Sequence, residues 1–398
     1  MSTRILFVSP YTLLDSTNGA AISMRILLET LAHQGFDCCA LTGTFSPAPG
    51  DTLGFGSADN PSHQFARHGI TQVKNTSIEG FRLLSFIKKG VNIEMLGLDD
   101  QMASHLHLQE LALNAILPAV VRETKPNIIL TWIRVQAMTP IADVAERSGI
   151  PMAAYLATAK PLVGSEVLRR IQRVLVPSLF LSEYYQKQYG IECEPLRPIV
   201  PILPSIESRC RARSVTMVNP APEKGVTMLY ALARRALRIL PQARFLIVEG
   251  RWTRSQLRQS GMDLMLPNII FKPNSVSLTQ FFLRTSVLLH PSYWEEGFGR
   301  TILEAQAFGI PVLASRRGGT AEALNGAGFL IDIPDRLTRE FRTTPSPEDL
   351  RPWIEQLTVL LTDSQAREEA SRSARRAAKE LVDRNIKRAI SLFSSMAQ

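Results

Sequence analysis

Short apolar runs alternate with longer segments of helical periodicity along most of this chain. In the first half, the apolar runs that are compatible with buried strands cover residues 5–8, 38–41, 127–131, 152–156 and 173–176. Segments whose apolar residues recur every three or four positions follow these runs, at residues 20–33, 101–123, 140–148 and 181–189. Strands that alternate with helices over short connections predict a mostly parallel sheet.

The stretch Ile191–Ser205 interrupts this pattern with four prolines. Because proline fixes φ and restricts the residue before it, the stretch is predicted to be an extended linker. After it, strands are predicted at residues 215–218, 245–248, 269–271, 287–289 and 310–314, and helices are predicted to begin near residues 227, 299, 347 and 364. The pattern predicts an α/β protein of two doubly wound domains, residues 1–192 and 206–378.

The composition of the chain narrows the class of partner. Its 398 residues are 45% hydrophobic and 20% charged, which is typical of a globular enzyme. The net charge of +9 favours an anionic partner: nucleic acid, anionic lipid or the phosphates of a nucleotide. Because no basic stripe interleaved with aromatic residues is present, we expect no nucleic-acid partner. The four cysteines lack metal-ligand spacing and the histidines include no HxxxH pair, so we expect no metal site. We also expect no cofactor.

The N-terminus reads as a first strand rather than a signal peptide, and no apolar run approaches the roughly 20 residues of a membrane helix. We therefore expect a cytoplasmic protein. Residues 81–96, which combine apolar side chains with Lys88 and Lys89, have two interpretations. They are either a packed segment with a solvated lysine pair or an amphipathic segment in peripheral contact with the inner membrane face. Residues 46–62, rich in Pro, Gly, Asp and Ser, are predicted to form a surface loop.

Polar chemistry is concentrated where the predicted strand 287–289 passes into the helix that begins near Gly299. Glycines at such a turn allow a ligand to approach the backbone, and the unpaired N–H groups of the helix start attract an anion. Arg300 adds a positive charge there, and Glu304 lies about 6 Å further along the helix. A diphosphate at the helix start would leave Glu304 near a ribose and Glu296 near hydroxyls on the other side. Taken alone, each glutamate is more typical of a solvated surface side chain, since charged side chains are mostly exposed.

Three other turns carry related features. Lys224 lies in the loop 219–225, directly after a predicted strand, where a lysine is a plausible phosphate partner. Gly318 and Gly319 would let another backbone segment reach a bound anion, and residues 18–21 (NGAA) place small side chains at the start of the first helix. Each of these three stretches is also compatible with an ordinary surface turn.

Together these residues resemble a known family. The spacing of Glu296 and Glu304 within PSYWEEGFGRTILEA, followed by FGIPVLAS and GGTAE, resembles the E-x7-E region of family 4 retaining glycosyltransferases. The loop 219–225 is similar to the donor-phosphate loop of that family, and NGAA to its Gly-Gly loop. The resemblance implies the GT-B architecture of two facing Rossmann-like domains. It also implies a C-terminal helix, residues 379–398, that crosses back to pack on the N-terminal domain.

The resemblance implies a hexosyltransferase-like enzyme. It would transfer a sugar from a nucleotide-diphosphate sugar to an acceptor with retention of the anomeric configuration and without a metal ion. Glu296 and Lys224 would be catalytic, with Glu296 at the donor sugar and Lys224 at the leaving diphosphate, where preorganised positive charge stabilises the transition state. The donor-binding positions would be Glu304 (at the ribose), Gly297, Phe298, Gly299, Arg300, Thr301, Asn219, Glu249 and Gly19. The acceptor, whether a glycan, a lipid-linked molecule or a small molecule, would face the N-terminal domain.

Two features depart from the family pattern. Asn219 stands where an arginine usually precedes the phosphate-loop lysine by five residues, and Arg251 or Arg300 is the candidate replacement for its charge. The histidine that commonly follows a strand of the N-terminal domain is absent; residues 131–132 and 156–158 occupy the two strand ends where it is expected. These departures keep two alternatives open. One is a catalytically impaired relative that binds nucleotide sugar or a partner enzyme, and the other is a nucleotide-sugar epimerase of the same architecture.

Overall fold

A computed structural model describes residues 2–45, 65–66, 68–97, 105–159, 164–202, 214–275 and 279–398. The loop predicted at residues 46–62 and the first residues of the helix predicted at 101–123 lie outside the described residues. The chain divides into two compact units. The first comprises Met1–Ile199 and Arg384–Gln398, and the second comprises Val200–Asp383.

The first unit is built on a mixed sheet whose described strands follow the order β3-β4-β5-β2-β1-β6-β7-β8-β9. Their bounds are β1 (Arg4–Tyr11), β2 (Asp37–Phe45), β3 (Lys74–Ile78), β4 (Phe81–Lys88), β5 (Val91–Leu96), β6 (Ile128–Thr131), β7 (Met152–Tyr155), β8 (Arg173–Val176) and β9 (Glu194–Pro195). The described helices are α1 (Gly19–His33), α2 (Leu106–Thr124), α3 (Thr139–Arg147) and α4 (Leu179–Tyr189). From β5 across to β9 the neighbouring strands run parallel, as the alternation of strands and helices predicted.

Local sequence explains where the first helix begins and ends. The side chain of Asn18 accepts a hydrogen bond from the Ala20 amide at 3.1 Å, which caps α1. Gly35 follows the helix with φ +92°, a conformation that glycine adopts at little cost. The central strand β1 is buried on both faces, since residues 5–8 are at most 1% exposed. A strand buried on both faces has a continuous apolar run, which is why it is readable in the sequence.

The segment 81–96 is a β-hairpin that is part of the sheet, and its peripheral contact with a membrane stays a prediction. β4 pairs antiparallel with both β3 and β5 at one edge of the sheet. The turn between β4 and β5 places Lys89 at φ 47° and Gly90 at φ 84°. Two successive positive φ angles are the geometry of a tight type I′ hairpin turn. In β4, the side chains of Leu83, Leu84 and Phe86 are buried, whereas Ile87 is 67% exposed.

The second unit has a wholly parallel sheet among its described strands, in the order β12-β11-β10-β13-β14-β15. The bounds are β10 (Ser214–Val218), β11 (Arg244–Val248), β12 (Ile269–Lys272), β13 (Thr285–His290), β14 (Val312–Ser315) and β15 (Phe329–Ile331). The helices are α5 (Val226–Ile239), α6 (Arg254–Gln259), α7 (Thr279–Phe282), α8 (Arg300–Ala307), α9 (Thr320–Leu324), α10 (Asp335–Arg339) and α11 (Pro347–Thr362). Their apolar faces enclose a core around Val215, Phe245, Val287 and Trp353.

The last helix, α12 (Ser364–Met396), contributes to both units. Its final part, from Arg384 onwards, belongs to the first unit. There the side-chain amide of Asn385 donates to the carbonyl oxygen of Pro198 at 3.0 Å, and Arg388 pairs with Glu194 of the short strand β9. Residues 191–202, the described part of the proline-rich stretch, therefore include a short strand and contact α12. Among the described residues, none of the helices is long and apolar enough to cross a membrane.

Trp353 offers a test of the second core, because it is fully buried between α11 and the sheet. We expect Trp353→Ala to lower the free energy of unfolding by about 3–5 kcal/mol, since it removes a large apolar side chain and leaves a cavity. Val359→Ala, on the same helix at a position that is 43% exposed, is the matched control and should change stability by less than about 1 kcal/mol. Urea unfolding followed by circular dichroism measures both. Equal effects of the two substitutions would contradict the packing described here.

Candidate functional site

Three loops meet at the carboxyl edge of the second sheet, after the adjacent strands β10, β13 and β14. The first loop, 219–225, contains a single turn of 3₁₀ helix at Pro222–Lys224. The second, residues 291–299, leads into α8, and the third, residues 316–319, leads into α9. Because the carboxyl ends of parallel strands lie at one edge of a sheet, loops that are distant in sequence become neighbours there.

Main-chain contacts join the first loop to the second. The amides of Tyr293 and Trp294 both donate to the carbonyl oxygen of Glu223, at 3.0 and 3.1 Å. Gly225 has φ +80°, and a Cβ at this position would lie 2.0 Å from the carbonyl oxygen of Pro291. Only glycine permits this approach, so the loop that carries Lys224 is held directly against the start of the loop that carries Glu296.

The third loop holds the backbone of Glu296 from the other side. The amide of Gly319 donates to the carbonyl oxygen of Glu296 at 2.8 Å. Gly318 has φ +57°, and a Cβ there would lie 2.3 Å from the same oxygen. The segment that approaches these two glycines is therefore the loop 291–299. Arg317, next to them, forms a 2.6 Å ion pair with Glu295.

Lys224 and Glu296 form a close ion pair at the centre of these loops. The Lys224 Nζ lies 2.6 Å from Oε1 and 2.8 Å from Oε2 of Glu296. On the same carboxylate, Oε1 lies 3.3 Å from Nε2 of His290, the last residue of β13. The Glu296 side chain is only 8% exposed, against 26% for that of Lys224. Glu296 is thus a buried carboxylate between two basic groups, and not a solvated surface glutamate.

The electrostatics of the pair favour the ionised carboxylate. Burial of Glu296 opposes ionisation, but the Lys224 ammonium, followed by His290, outweighs burial and holds the Glu296 pKa well below its usual range. A buried carboxylate that stays ionised needs such partners, because an isolated buried charge is strongly unfavourable.

The beginning of α8 carries a second charged pair. Gly299, the residue before the helix, adopts φ +96°. The next residue is Arg300, whose Nη2 lies 2.9 Å from Oε1 of Glu304. Both side chains are mostly buried, at 10% and 18% exposed. Gly297 and Phe298 are buried in the loop before the helix, and Thr301 in its first turn is half-buried. Positive charge, a helix start and Glu304 therefore lie together in the second unit.

Two predicted donor-binding residues, Asn219 and Glu249, have structural contacts of their own. Asn219 adopts φ 59° and its Oδ1 accepts from the amide of Trp252 at 3.2 Å, so it shapes the turn next to Gly250. Glu249 accepts a hydrogen bond from the Arg254 amide at 2.7 Å, at the start of α6.

Gly19 is an exposed residue of the first unit, where it begins α1. Of the two arginines considered as replacements for the missing charge, Arg251 is exposed and Arg300 is the one paired with Glu304.

His290 is the residue that sequence reasoning missed. It directly follows the predicted strand 287–289 and directly precedes Pro291. A polar residue at the carboxyl end of a central strand is a recognisable signal, because ligands of open α/β sheets bind at that edge. Its significance depends on Glu296 folding back towards it, which the local pattern does not specify.

The described residues include no group of three or more His, Cys, Asp or Glu side chains that could hold a metal ion. Cys38, Cys39 and Cys193 are free thiols in the first unit, and burial raises the pKa of each to about 12. Buried thiols of this kind act as small apolar side chains rather than nucleophiles.

The chain is similar to known glycosyltransferases. Residues 214–376 match the family model of glycosyl transferases group 1. The chain is 31% identical over 123 residues to a putative glycosyltransferase, YtcC, of Bacillus subtilis, which covers 28% of this chain and 30% of that protein. It is 42% identical over 76 residues to the D-inositol 3-phosphate glycosyltransferase of Streptomyces avermitilis, covering 17% of this chain and 16% of that protein. The matched segments thus span less than a third of these curated relatives.

Solved structures match over nearly the whole chain. Sucrose-phosphate synthase from Thermosynechococcus elongatus superimposes with a TM-score of 0.68 at 14% identity, covering 99% of both chains. Anabaena HepE in complex with UDP and glucose superimposes with a TM-score of 0.64 at 17% identity, covering 99% of this chain and 100% of that one. These likenesses confirm the predicted GT-B fold, and the family match supports a glycosyltransferase.

The ion pair makes a prediction about stability. The Glu296 pKa is lower in the folded than in the unfolded chain. Ionisation of Glu296 therefore stabilises the fold at pH values above 4.5, the ordinary pKa of a glutamate, and this stabilisation is lost as the pH falls through the folded-state pKa. We expect Lys224→Met to lower the free energy of unfolding by roughly 3 kcal/mol at neutral pH, since it leaves a buried carboxylate without its main partner. The deficit should shrink on acidification, because Glu296 becomes protonated first in the variant.

Denaturant unfolding at neutral pH and at about pH 4 measures this effect. Lys379→Met, at an exposed position of α12, is the matched control and should change the free energy of unfolding little at either pH. If Lys224→Met lowered the free energy of unfolding equally at both pH values, the loss would come from the packing of the lysine stem and not from its charge.

Proposed function

We propose that this protein is a retaining glycosyltransferase that uses a nucleoside diphosphate sugar as donor and needs no metal ion. The observation that carries the proposal is the buried Glu296 carboxylate, 2.6 Å from the Lys224 ammonium, directly before the start of α8. Retention is part of the proposal because the stretch 291–319 resembles a retaining family. The match of residues 214–376 to glycosyl transferases group 1 supports the glycosyltransferase part of the proposal.

The proposed donor is a nucleoside diphosphate sugar because of the charges at the loop-to-helix junction. A diphosphate at the start of α8 would meet the unpaired backbone N–H groups of the first turn and the positive end of the helix dipole. Arg300 is in that turn, and Lys224 lies on the neighbouring loop. The solved HepE structure of similar fold contains UDP and glucose, which is consistent with such a ligand.

Glu304 is the proposed partner of the nucleotide ribose. It lies four residues into α8 and its Oε1 is occupied by Arg300 at 2.9 Å, which fixes the carboxylate at the surface of the helix. The carboxylate would accept hydrogen bonds from the vicinal diol of the ribose, and charged acceptors make stronger hydrogen bonds than neutral ones.

Lys224 and Glu296 are the proposed catalytic residues. Cleavage of the bond between the sugar and the diphosphate leaves negative charge on the diphosphate, and the Lys224 ammonium stabilises that charge. Glu296 would accept hydrogen bonds from sugar hydroxyls near the reacting carbon. Because main-chain contacts of Gly318 and Gly319 hold the backbone of Glu296, this residue needs little reorganisation when the donor binds.

A panel of UDP-, GDP-, ADP- and dTDP-sugars tests the proposal. We expect at least one nucleotide to raise the melting temperature, because a ligand that binds the folded chain stabilises it by mass action. Mass spectrometry should detect hydrolysis or transfer of the same donor, with unchanged activity in the presence of EDTA, and NMR should find the product anomer of the same configuration as the donor. Stabilisation by none of the nucleotides would overturn the proposal, and binding without turnover would favour an impaired relative.

Glu304→Ala tests the ribose contact. We expect the affinity for the stabilising nucleotide to fall by about 1–3 kcal/mol, roughly 5- to 150-fold, since a charged acceptor is lost. Glu340→Ala, at an exposed position of the same unit, is the control and should leave the affinity unchanged. Isothermal titration calorimetry gives both values. An unchanged affinity in the Glu304 variant would remove this residue from the site.

A further inference from the structure

His290 is the second basic group on the Glu296 carboxylate, and the proposed function does not use it. Its Nε2 lies 3.3 Å from Oε1 of Glu296, and this nitrogen is buried without a hydrogen bond of normal geometry. The imidazole side chain is only 14% exposed. A buried ring nitrogen directed at a buried carboxylate is suited to carry a proton there, because that proton would complete a charge-assisted hydrogen bond.

The proposed reaction requires Lys224 to serve two anions. In this structure its ammonium donates hydrogen bonds to both carboxylate oxygens of Glu296. A bound diphosphate would require the same ammonium as its counter-charge. The lysine stem is flexible and the side chain is 26% exposed, so the ammonium can turn towards the edge of the sheet. Glu296 would then be a buried carboxylate without its main counter-charge, which is strongly unfavourable unless another cation replaces it.

We infer that His290 is a positioning residue that takes up a proton and becomes the counter-charge of Glu296 when Lys224 turns to the diphosphate of the donor. The inference rests on the proposed function, since it needs a diphosphate to draw Lys224 away. The proton comes from solvent and goes to the imidazole, and no covalent bond of the ligand changes. Binding of a nucleoside diphosphate is thereby coupled to the uptake of a proton at His290.

The charged groups around His290 fit this exchange. It faces Glu296 of the loop 291–299, and Glu296 in turn is paired with Lys224 of the loop 219–225. A second ion pair on neighbouring loop residues joins Arg317 to Glu295 at 2.6 Å. While Lys224 stays on Glu296, a protonated His290 would leave the buried group with an excess positive charge. Once Lys224 has left, a protonated His290 with Glu296 is neutral overall, so the departure of Lys224 favours the proton.

Calorimetric titration with UDP, or with GDP or ADP if the donor panel selects one of them, tests the inference. The titration is run at about pH 8, where an imidazole in water is mostly neutral, in two buffers of different ionisation enthalpy. The difference between the buffers gives the number of protons taken up. We expect the wild-type protein to take up close to one proton more than His290→Gln, which keeps a hydrogen-bond donor but cannot be charged. Wild-type affinity should weaken up to tenfold per pH unit above neutrality, whereas the variant should bind more weakly and show a flat profile.

Two further variants complete the experiment. Glu296→Gln should also abolish the proton uptake while His290 is present, because a neutral amide needs no counter-charge. His33→Gln, at an exposed position at the end of α1, is the control and should take up protons like the wild type. Wild-type uptake in His290→Gln or in Glu296→Gln overturns the inference while leaving the proposed function intact. If the wild-type protein binds none of the nucleotides of the donor panel, dTDP included, the proposed function fails, and the inference fails with it.

Discussion

The candidate site depends on one electrostatic constraint, which is that the carboxylate of Glu296 is ionised and almost completely buried. Such a group is tolerated only when a cation and a rigid surrounding hold it, because burial of an uncompensated charge is costly. Lys224 supplies the cation at 2.6 Å, and His290 adds a second basic group at 3.3 Å. The loops that carry these residues therefore have to lie at fixed distances from one another, and the turns of the second unit hold them there.

Close backbone contact achieves that arrangement. Gly225 and Gly318 both have positive φ, and both lie where a Cβ would collide with a carbonyl oxygen of the loop 291–299. Hydrogen bonds from three main-chain amides, those of Tyr293, Trp294 and Gly319, fix the loops at the same places. Because these contacts are between backbone atoms, they position Lys224 and Glu296 without depending on flexible side chains. A preorganised site of this kind is what stabilisation of charge in a transition state requires.

Much of the fold was predictable because its strands and helices follow simple periods. The helix predicted to begin near residue 364 is α12, which starts at Ser364, and most buried parallel strands of both units coincide with continuous apolar runs. The hairpin of β4 and β5 was missed for a physical reason. Its turn, Lys89-Gly90, carries a charge that also suits a surface helix, and the pairing with β3 and β5 that identifies it as a strand is not visible locally.

The sequence by itself determined the alternation of strands and helices, the proline-rich division and the loops in which chemistry was to be sought. Periodicity encodes burial along one element, so these features follow from neighbouring residues. Only the tertiary structure decided that Lys224 contacts Glu296 across 72 residues, that His290 joins them, and that Asn219 and Glu249 are engaged in turns and helix caps. Those contacts arise where parallel strands end at one edge of a sheet. They depend on the order of the strands, which no local pattern contains.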